Sequence, residues 1–453
     1  MNDRRVQAPE ERARGLQRWI ALTIGTALLA LFIWIVQWNH EALATRAHES
    51  GPGSALGTLF QVRPNEDLRG VLWRSELVIR IALVLVLLLW VIGTVCWFLR
   101  RLGVPRVLLP LAAVALWFGF ETFVVPHFED ELRLANWHIV RDVDHWPAAN
   151  DPGLGTNSDA LRTPWEPDAF AERDLNVIFL GDSFTFGAGV ERGEAFCMVA
   201  RKILDDDISE RTVRAANFGW VSASPLLELR RLRAIGERYG PALVVTCVDM
   251  TDFQDAIKYG QMIDRRGIFG WYERTPFALM LLKNYARPVF EWLQTLGMGG
   301  LPTYRYFHSE QPLDRSREAM EVLWSNLLGI QEWCDLHGAR HVAVLMPRHY
   351  QYNAEECPDN WEGERYTLMG PYSLEPFAWW REKQAAGAPF TMLSLLEAFQ
   401  QTDVFPTCKV DDPHWNAAGH RVAGEALAKQ LEPILRELLA EEIARQAGET
   451  APR

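Results

Sequence analysis

The chain has 453 residues, is 49% hydrophobic and carries a formal charge of −12. That length has room for one large domain or two ordinary ones, and the acidic balance offers no footprint for a phosphate backbone, so nucleic acid is not an expected partner. No spacing among the 6 Cys and 11 His resembles a zinc site, and neither a metal nor a cofactor is expected.

Charge is divided unevenly along the chain. Residues 1–130 hold 13 Arg, no Lys and 11 Asp/Glu, a charge of +2, which leaves −14 on residues 131–453. A helix crossing the bilayer core needs roughly 20 apolar residues. Residues 19–38 carry no charge and have Trp19, Trp34 and Trp38 near their ends. A second uncharged run, 81–99, lies within an expected span at 78–99 and is followed by Arg100 and Arg101. A third span is expected at 104–125, with Arg106 and Glu121 toward its ends, where Arg can reach the interface. The first run is too long, with no small-residue cleavage site after it, to read as a removed signal peptide.

Arg4, Arg5, Arg12, Arg14 and Arg18 precede the first span, and Arg100, Arg101 and Arg106 separate the second from the third. Both clusters belong on the cytoplasmic side, which places the C-terminal domain outside the cytoplasm if all three runs cross. With only two crossings the domain would face inward.

Residues 131–170 are a polar connector bearing Pro and Gly. From 171 to 440 short apolar runs alternate with helical patterns. Strands are expected at 175–180, 212–217, 242–248 and 341–346, and helices from 183 to about 205, at 225–239, at 315–337 and from 416 to about 445. Such alternation implies a parallel sheet covered on both faces, with chemistry gathered beyond the carboxyl ends of the strands. An aromatic-rich insertion occupies 253–315, and within it 276–296 has helical spacing. It reads as a small subdomain over the sheet, or as a lid or groove for a lipid or glycan. A disordered tail is expected over 441–453. Cys357 and Cys408 lie in loop-rich sequence and could pair in an oxidising compartment.

Two blocks carry chemistry. Gly181-Asp182-Ser183-Phe184 follows the apolar run 177–180. Glycine permits the sharp turn, and the serine then sits where free N–H groups at a helix start can face a developing oxyanion. Near the other end, Asp411-Asp412-Pro413-His414-Trp415-Asn416 supplies a base and carboxylates to orient it. Asp182 reads as bonding backbone near the nucleophile, and His420 as structural.

Together the blocks resemble the SGNH (GDSL-type) hydrolase superfamily. The first block matches as Gly181-Asp182-Ser183-Phe184-Thr185-Phe186-Gly187, the second as Asn217-Phe218-Gly219, and the last as Asp411 to His414 with Asn416 and Gly419 following. The chain also looks like a bacterial membrane-attached branch, through Asn157-Ser158-Asp159-Ala160-Leu161-Arg162 and Tyr239-Gly240-Pro241. The resemblance covers about residues 153–435. It implies an α/β fold, a three-layer flavodoxin-like parallel sheet preceded by transmembrane helices. It also implies Ser183 as nucleophile, His414 as base, and Asp411 or Asp412 as the orienting acid. Asp411 fits the commoner spacing; Asp412 fits that of the alginate-type O-acetyltransferases of the same superfamily.

Oxyanion donors implied by the resemblance are the N–H groups of Ser183 and Gly219. The third donor is usually an Asn; here Asp249-Met250-Thr251-Asp252 puts Thr251 in its place. Removing one such donor typically costs on the order of 10²–10³ in turnover. The expected activity is a membrane-anchored esterase of a bacterial inner membrane, with its catalytic domain periplasmic. Its substrate would be an ester on an envelope glycan, a lipid or a small molecule. Two alternatives stay open: an O-acetyltransferase served by a membrane acyl-donor partner, and a catalytically weak envelope scaffold.

Overall fold

The computed structural model describes residues 9–51, 53–60, 62, 68–127, 143–264, 277–278, 281, 305–358, 360, 362–363 and 366–449. The chain divides into two compact units, one of residues 1–141 with 267–295 and one of 142–266 with 296–453.

In the first unit, three helices are long and apolar enough to cross a membrane: Leu16–Trp38, Leu68–Arg101 and Arg106–Val124. Leu and Val dominate their surfaces and remain exposed, as in Leu28, Phe32, Leu89 and Leu111, which suits a lipid environment. Glu121 does not face outward; its side chain is 2% exposed. Its carboxylate accepts the N–H groups of Phe277 (2.9 Å) and Ala278 (2.6 Å) and the Trp117 indole N–H (3.0 Å). A buried carboxylate in an apolar helix is tolerable when donors surround it in this way.

The second unit is built on a five-stranded parallel sheet of order β2-β1-β3-β4-β5. The strands are β1 Leu175–Gly181, β2 Val213–Asn217, β3 Leu243–Val248, β4 Arg340–Leu345 and β5 Thr391–Ser394. Side chains alternate between faces, and both faces are buried. Ile178, Leu180, Val244, Ala343 and Leu345 pack with Leu232, Leu323, Leu327 and Ile330 of the helices Pro225–Ile235 and Leu313–His337. Val177, Phe179, Val245, Val342 and Val344 pack with Leu204, Leu427, Leu431 and Leu435 of Phe196–Asp207 and Ala417–Glu449. Continuous apolar runs are what a strand covered on both sides requires. The result is the doubly wound α/β sheet expected from the alternating pattern. Its order reverses direction between β1 and β3, the position where such sheets open a crevice.

Several expected elements differ in detail. The single helix expected from 183 to about 205 is two, Ser183–Phe186 and Phe196–Asp207. Gly187 takes φ +82°, in the left-handed region, and ends the first after one turn. Beyond β3, at the start of the expected insertion, the chain forms the helix Asp252–Ile263, whose Phe253, Ala256 and Ile257 are buried; the separate helix expected at 276–296 lies almost wholly outside the described residues. The last helix continues to Glu449, where a disordered tail was expected from 441, and Leu435 and Leu439 extend its buried stripe. Residues 450–453 lie outside the described residues. The pairing considered for Cys357 and Cys408 is absent: both are buried free thiols, and Cys408 Sγ lies 3.3 Å from the Tyr352 hydroxyl.

Candidate active site

β1 ends at Gly181, and Ser183 opens the one-turn helix that follows. Asp182 caps it, its Oδ1 accepting the Phe184 N–H at 2.9 Å. At the other end of the turn Arg162 donates to the carbonyls of Phe186 (2.9 Å), Gly187 (2.7 Å) and Val190 (2.7 Å). Its guanidinium also lies 4.7 Å from the Phe186 ring centre. The turn that carries Ser183 is therefore held at both ends.

Ser183 Oγ lies 2.7 Å from His414 Nε2. The other ring nitrogen, Nδ1, lies 2.5 Å from Asp412 Oδ1, which also accepts the His414 backbone N–H at 3.0 Å. Asp412, not Asp411, is therefore the carboxylate on the imidazole. The tight turn through Pro413 brings the side chain two residues back onto the ring, and Asp411 is exposed. Burial raises the Asp412 carboxyl, but the hydrogen bond and charge of His414 outweigh it and hold the group down at about 2. It is an anion at neutral pH.

The loop carrying His414 is anchored on several sides. Buried Glu356 accepts the N–H of Thr407 (2.6 Å) and of Cys408 (3.2 Å). Lys409 Nζ donates to Ala188 O at 3.0 Å, joining this loop to the one beyond the nucleophile. Phe184 stacks on the imidazole with 4.9 Å between centres, and Trp415 meets the Phe184 ring edge-on. His420 is buried and accepts the Phe196 N–H at 3.3 Å, away from the triad.

Of the three implied oxyanion donors, two are already engaged. The Gly219 N–H donates to Asn217 Oδ1 at 2.9 Å. Only glycine fits there: a Cβ would fall 2.4 Å from Phe186 N and 2.7 Å from the Thr185 carbonyl carbon. Thr251 departs from the implied role. Its hydroxyl donates to Asp249 Oδ2 at 2.6 Å, and its N–H donates to the same oxygen at 2.9 Å. A hydroxyl has one proton to give, and here it goes to a carboxylate.

Asp249 explains why. Arg348 meets it with two parallel bonds, Nε to Oδ1 and Nη2 to Oδ2, both 2.7 Å, and both side chains are almost fully buried. Burial would raise Asp249, but the Arg348 charge and the hydrogen bonds from Arg348 and Thr251 hold it at about 2. Arg348 also lies 4.6 Å from the Phe184 ring centre, so a buried cation packs against the residue following the nucleophile. Sequence reasoning missed this pair. Arg348 stands three residues beyond the carboxyl end of β4, and the rule that placed Ser183 at a strand end could have flagged it. No group of three or more metal-ligating side chains occurs among the described residues.

No family model and no curated protein matches the sequence. Among solved structures, the chain is similar to a GDSL-like lipase from Bacteroides thetaiotaomicron VPI-5482, at 12% identity over 59% of this chain and 94% of that one, with a TM-score of 0.32. It is also similar to the psychrotrophic esterase EstA from Pseudoalteromonas sp., at 13% identity over 61% of this chain and 100% of that one, with a TM-score of 0.29. Likenesses of this size carry no weight for chemistry, which rests on the geometry of the side chains.

Proposed function

We propose that this chain is a membrane-anchored serine esterase of the SGNH type. The observation that carries the reading is the relay Ser183–His414–Asp412, assembled from positions 231 residues apart with bonds of 2.7 and 2.5 Å. His414 Nε2 takes the hydroxyl proton as Ser183 Oγ bonds to the ester carbonyl carbon. The carbonyl oxygen becomes an oxyanion. The Ser183 N–H at the helix start serves it, with the Gly219 N–H once that group turns from Asn217. Collapse of the intermediate breaks the bond to the alcohol oxygen, which takes the proton back from His414. Water then repeats the sequence on the acyl-serine and releases the acid. Asp412 remains an anion throughout, fixing the imidazole tautomer and stabilising its protonated form.

An ester on an envelope glycan, a lipid or a small molecule suits a domain tethered beside a bilayer. The arginine clusters at 4–18 and 100–106 favour a catalytic unit outside the cytoplasm, as in the periplasm of a bacterium. The test is covalent labelling of the detergent-solubilised full chain with a fluorophosphonate. Wild type should label and Ser183→Ala should not; equal labelling of the two would sink the reading and leave a non-catalytic scaffold. Acyl-ester turnover with an oligosaccharide present should then yield free acid. Formation of acylated sugar would replace hydrolysis by O-acyl transfer.

A further inference from the structure

Asp182 does more than cap a helix. Its carboxyl is 2% exposed, and its Oδ2 lies 3.3 Å from Ser183 Oγ, the same oxygen that faces His414 Nε2. A serine hydroxyl has one proton, so two acceptors on that oxygen compete for it. Which of them receives the proton depends on whether Asp182 carries a proton of its own.

The surroundings decide that question. Asp249 and Asp252 approach from the end of β3 and the helix that follows, and Glu228 from the helix Pro225–Ile235. The cation facing this group is Arg348, and its two short bonds go to Asp249. Neither carboxyl oxygen of Glu228 has a hydrogen-bond partner, and Asp252 Oδ1 has none, although both residues are almost completely buried. Arg348, which Asp249 binds and Glu362 also meets at 3.5 Å, cannot neutralise Asp182, Glu228 and Asp252 as well, and buried side by side they cannot all be ionised. Burial first, and then the Asp249 charge, push Asp182 up to about 8, with Arg348 pulling in the opposite sense. Glu228 and Asp252 are raised well above the usual range, by burial and then by the Asp182 charge.

We propose that Asp182 in its protonated form is a positioning residue for the nucleophile: its Oδ2–H donates to Ser183 Oγ and so leaves the serine proton to His414 Nε2. When Asp182 ionises, its oxygen becomes a rival acceptor, the serine proton turns from the base, and a negative charge stands beside the forming oxyanion. The inference rests on the esterase reading of Ser183 and His414, and adds an alkaline limb that the relay alone does not produce.

The test is the rate of fluorophosphonate labelling between pH 6 and 10, on the solubilised full chain, for wild type and Asp182→Asn. In the variant the amide oxygen still accepts the Phe184 N–H and the amide NH₂ donates to Ser183 Oγ. Wild type should decline above pH about 8, approaching tenfold per pH unit. Asp182→Asn, whatever its rate at pH 7, should hold that rate to pH 10, because the amide has no proton to lose in this range. A role confined to capping predicts one shared profile, because Asn caps as well as Asp. A descending limb common to both proteins, or a flat wild-type profile, would overturn the proposal. If the variant does not fold, Asp182→Ser, which still caps the turn but carries no carboxyl, takes its place and should likewise show no descending limb. Labelling of wild type with a limb shared by the variant removes only this inference; no labelling of wild type at any pH removes the esterase reading with it.

Discussion

At the scale of single residues, one position in the chain separates two candidate acids. Asp411 and Asp412 are neighbours, and both spacings to His414 have precedent in the superfamily the motifs resemble. The structure puts Asp412 Oδ1 on both the backbone N–H and the Nδ1 of His414, a closed turn that Asp411 cannot make from its exposed place. Asp412→Asn should therefore lower the fluorophosphonate labelling rate by roughly 10⁴, the cost of the wrong imidazole tautomer. Asp411→Asn should label within about twofold of wild type. The opposite ranking would show that the loop rearranges when substrate binds. Ser183 and His414 were legible as candidates from the sequence, because a sharp turn into a helix and a base beside carboxylates each favour particular residue types, whereas Gly219 entered only through the resemblance. The commitment of the Thr251 hydroxyl was not legible, since it depends on Arg348 bringing Asp249 into place from a different strand end.

Among the elements, the nucleophile turn is the most constrained. A helix of one turn leaves nearly all its carbonyls without partners inside the helix. Arg162, from a connector with no regular structure, supplies three donors to Phe186, Gly187 and Val190. Its planar fork is what reaches three acceptors at once; a lysine ammonium on a flexible stem does not. Arg162→Lys should slow labelling by about 10–100-fold, as small misplacements of reacting groups do. The melting temperature of the unit should fall much less. Labelling unchanged from wild type would mean that Gly187 and the packing of Phe184 suffice to hold the turn. The connector is anchored in its turn: Asn157 Nδ2 reaches Trp165 O at 2.9 Å and the Tyr239 hydroxyl at 3.1 Å. Elements that the motifs only marked as ordered blocks, Asn157 to Arg162 and Tyr239, brace the turn that carries Ser183.

For the whole molecule, membrane crossing by the three long apolar helices would set the side on which the α/β unit lies. Three helices meet the length and composition for crossing, and an odd number of crossings moves the C-terminal unit to the side opposite the N-terminus. Glu121 is the carboxylate inside the third run, and its three donors make its burial there tolerable. A cysteine placed at exposed Glu210, as Glu210→Cys, should react in intact spheroplasts with a membrane-impermeant maleimide. The buried native thiols Cys197, Cys247, Cys334, Cys357 and Cys408 give little background. Reaction only after lysis would place the unit in the cytoplasm and would mean that the run 106–124 does not cross.

Taken by itself, the order of residues determined the alternating strands and helices, the apolar runs long enough for a bilayer, and the two short blocks that carry Ser183 and His414. Each of these is written in local pattern: a period, a length, a short motif. Tertiary structure alone decided which aspartate holds the imidazole, that the Thr251 proton belongs to Asp249, and that Asp182 lies near Asp249, whose partner is the Arg348 guanidinium. The physical reason is that hydrogen bonding and ionisation depend on distance and burial, and groups far apart in the chain acquire both only when the sheet brings its strand ends together.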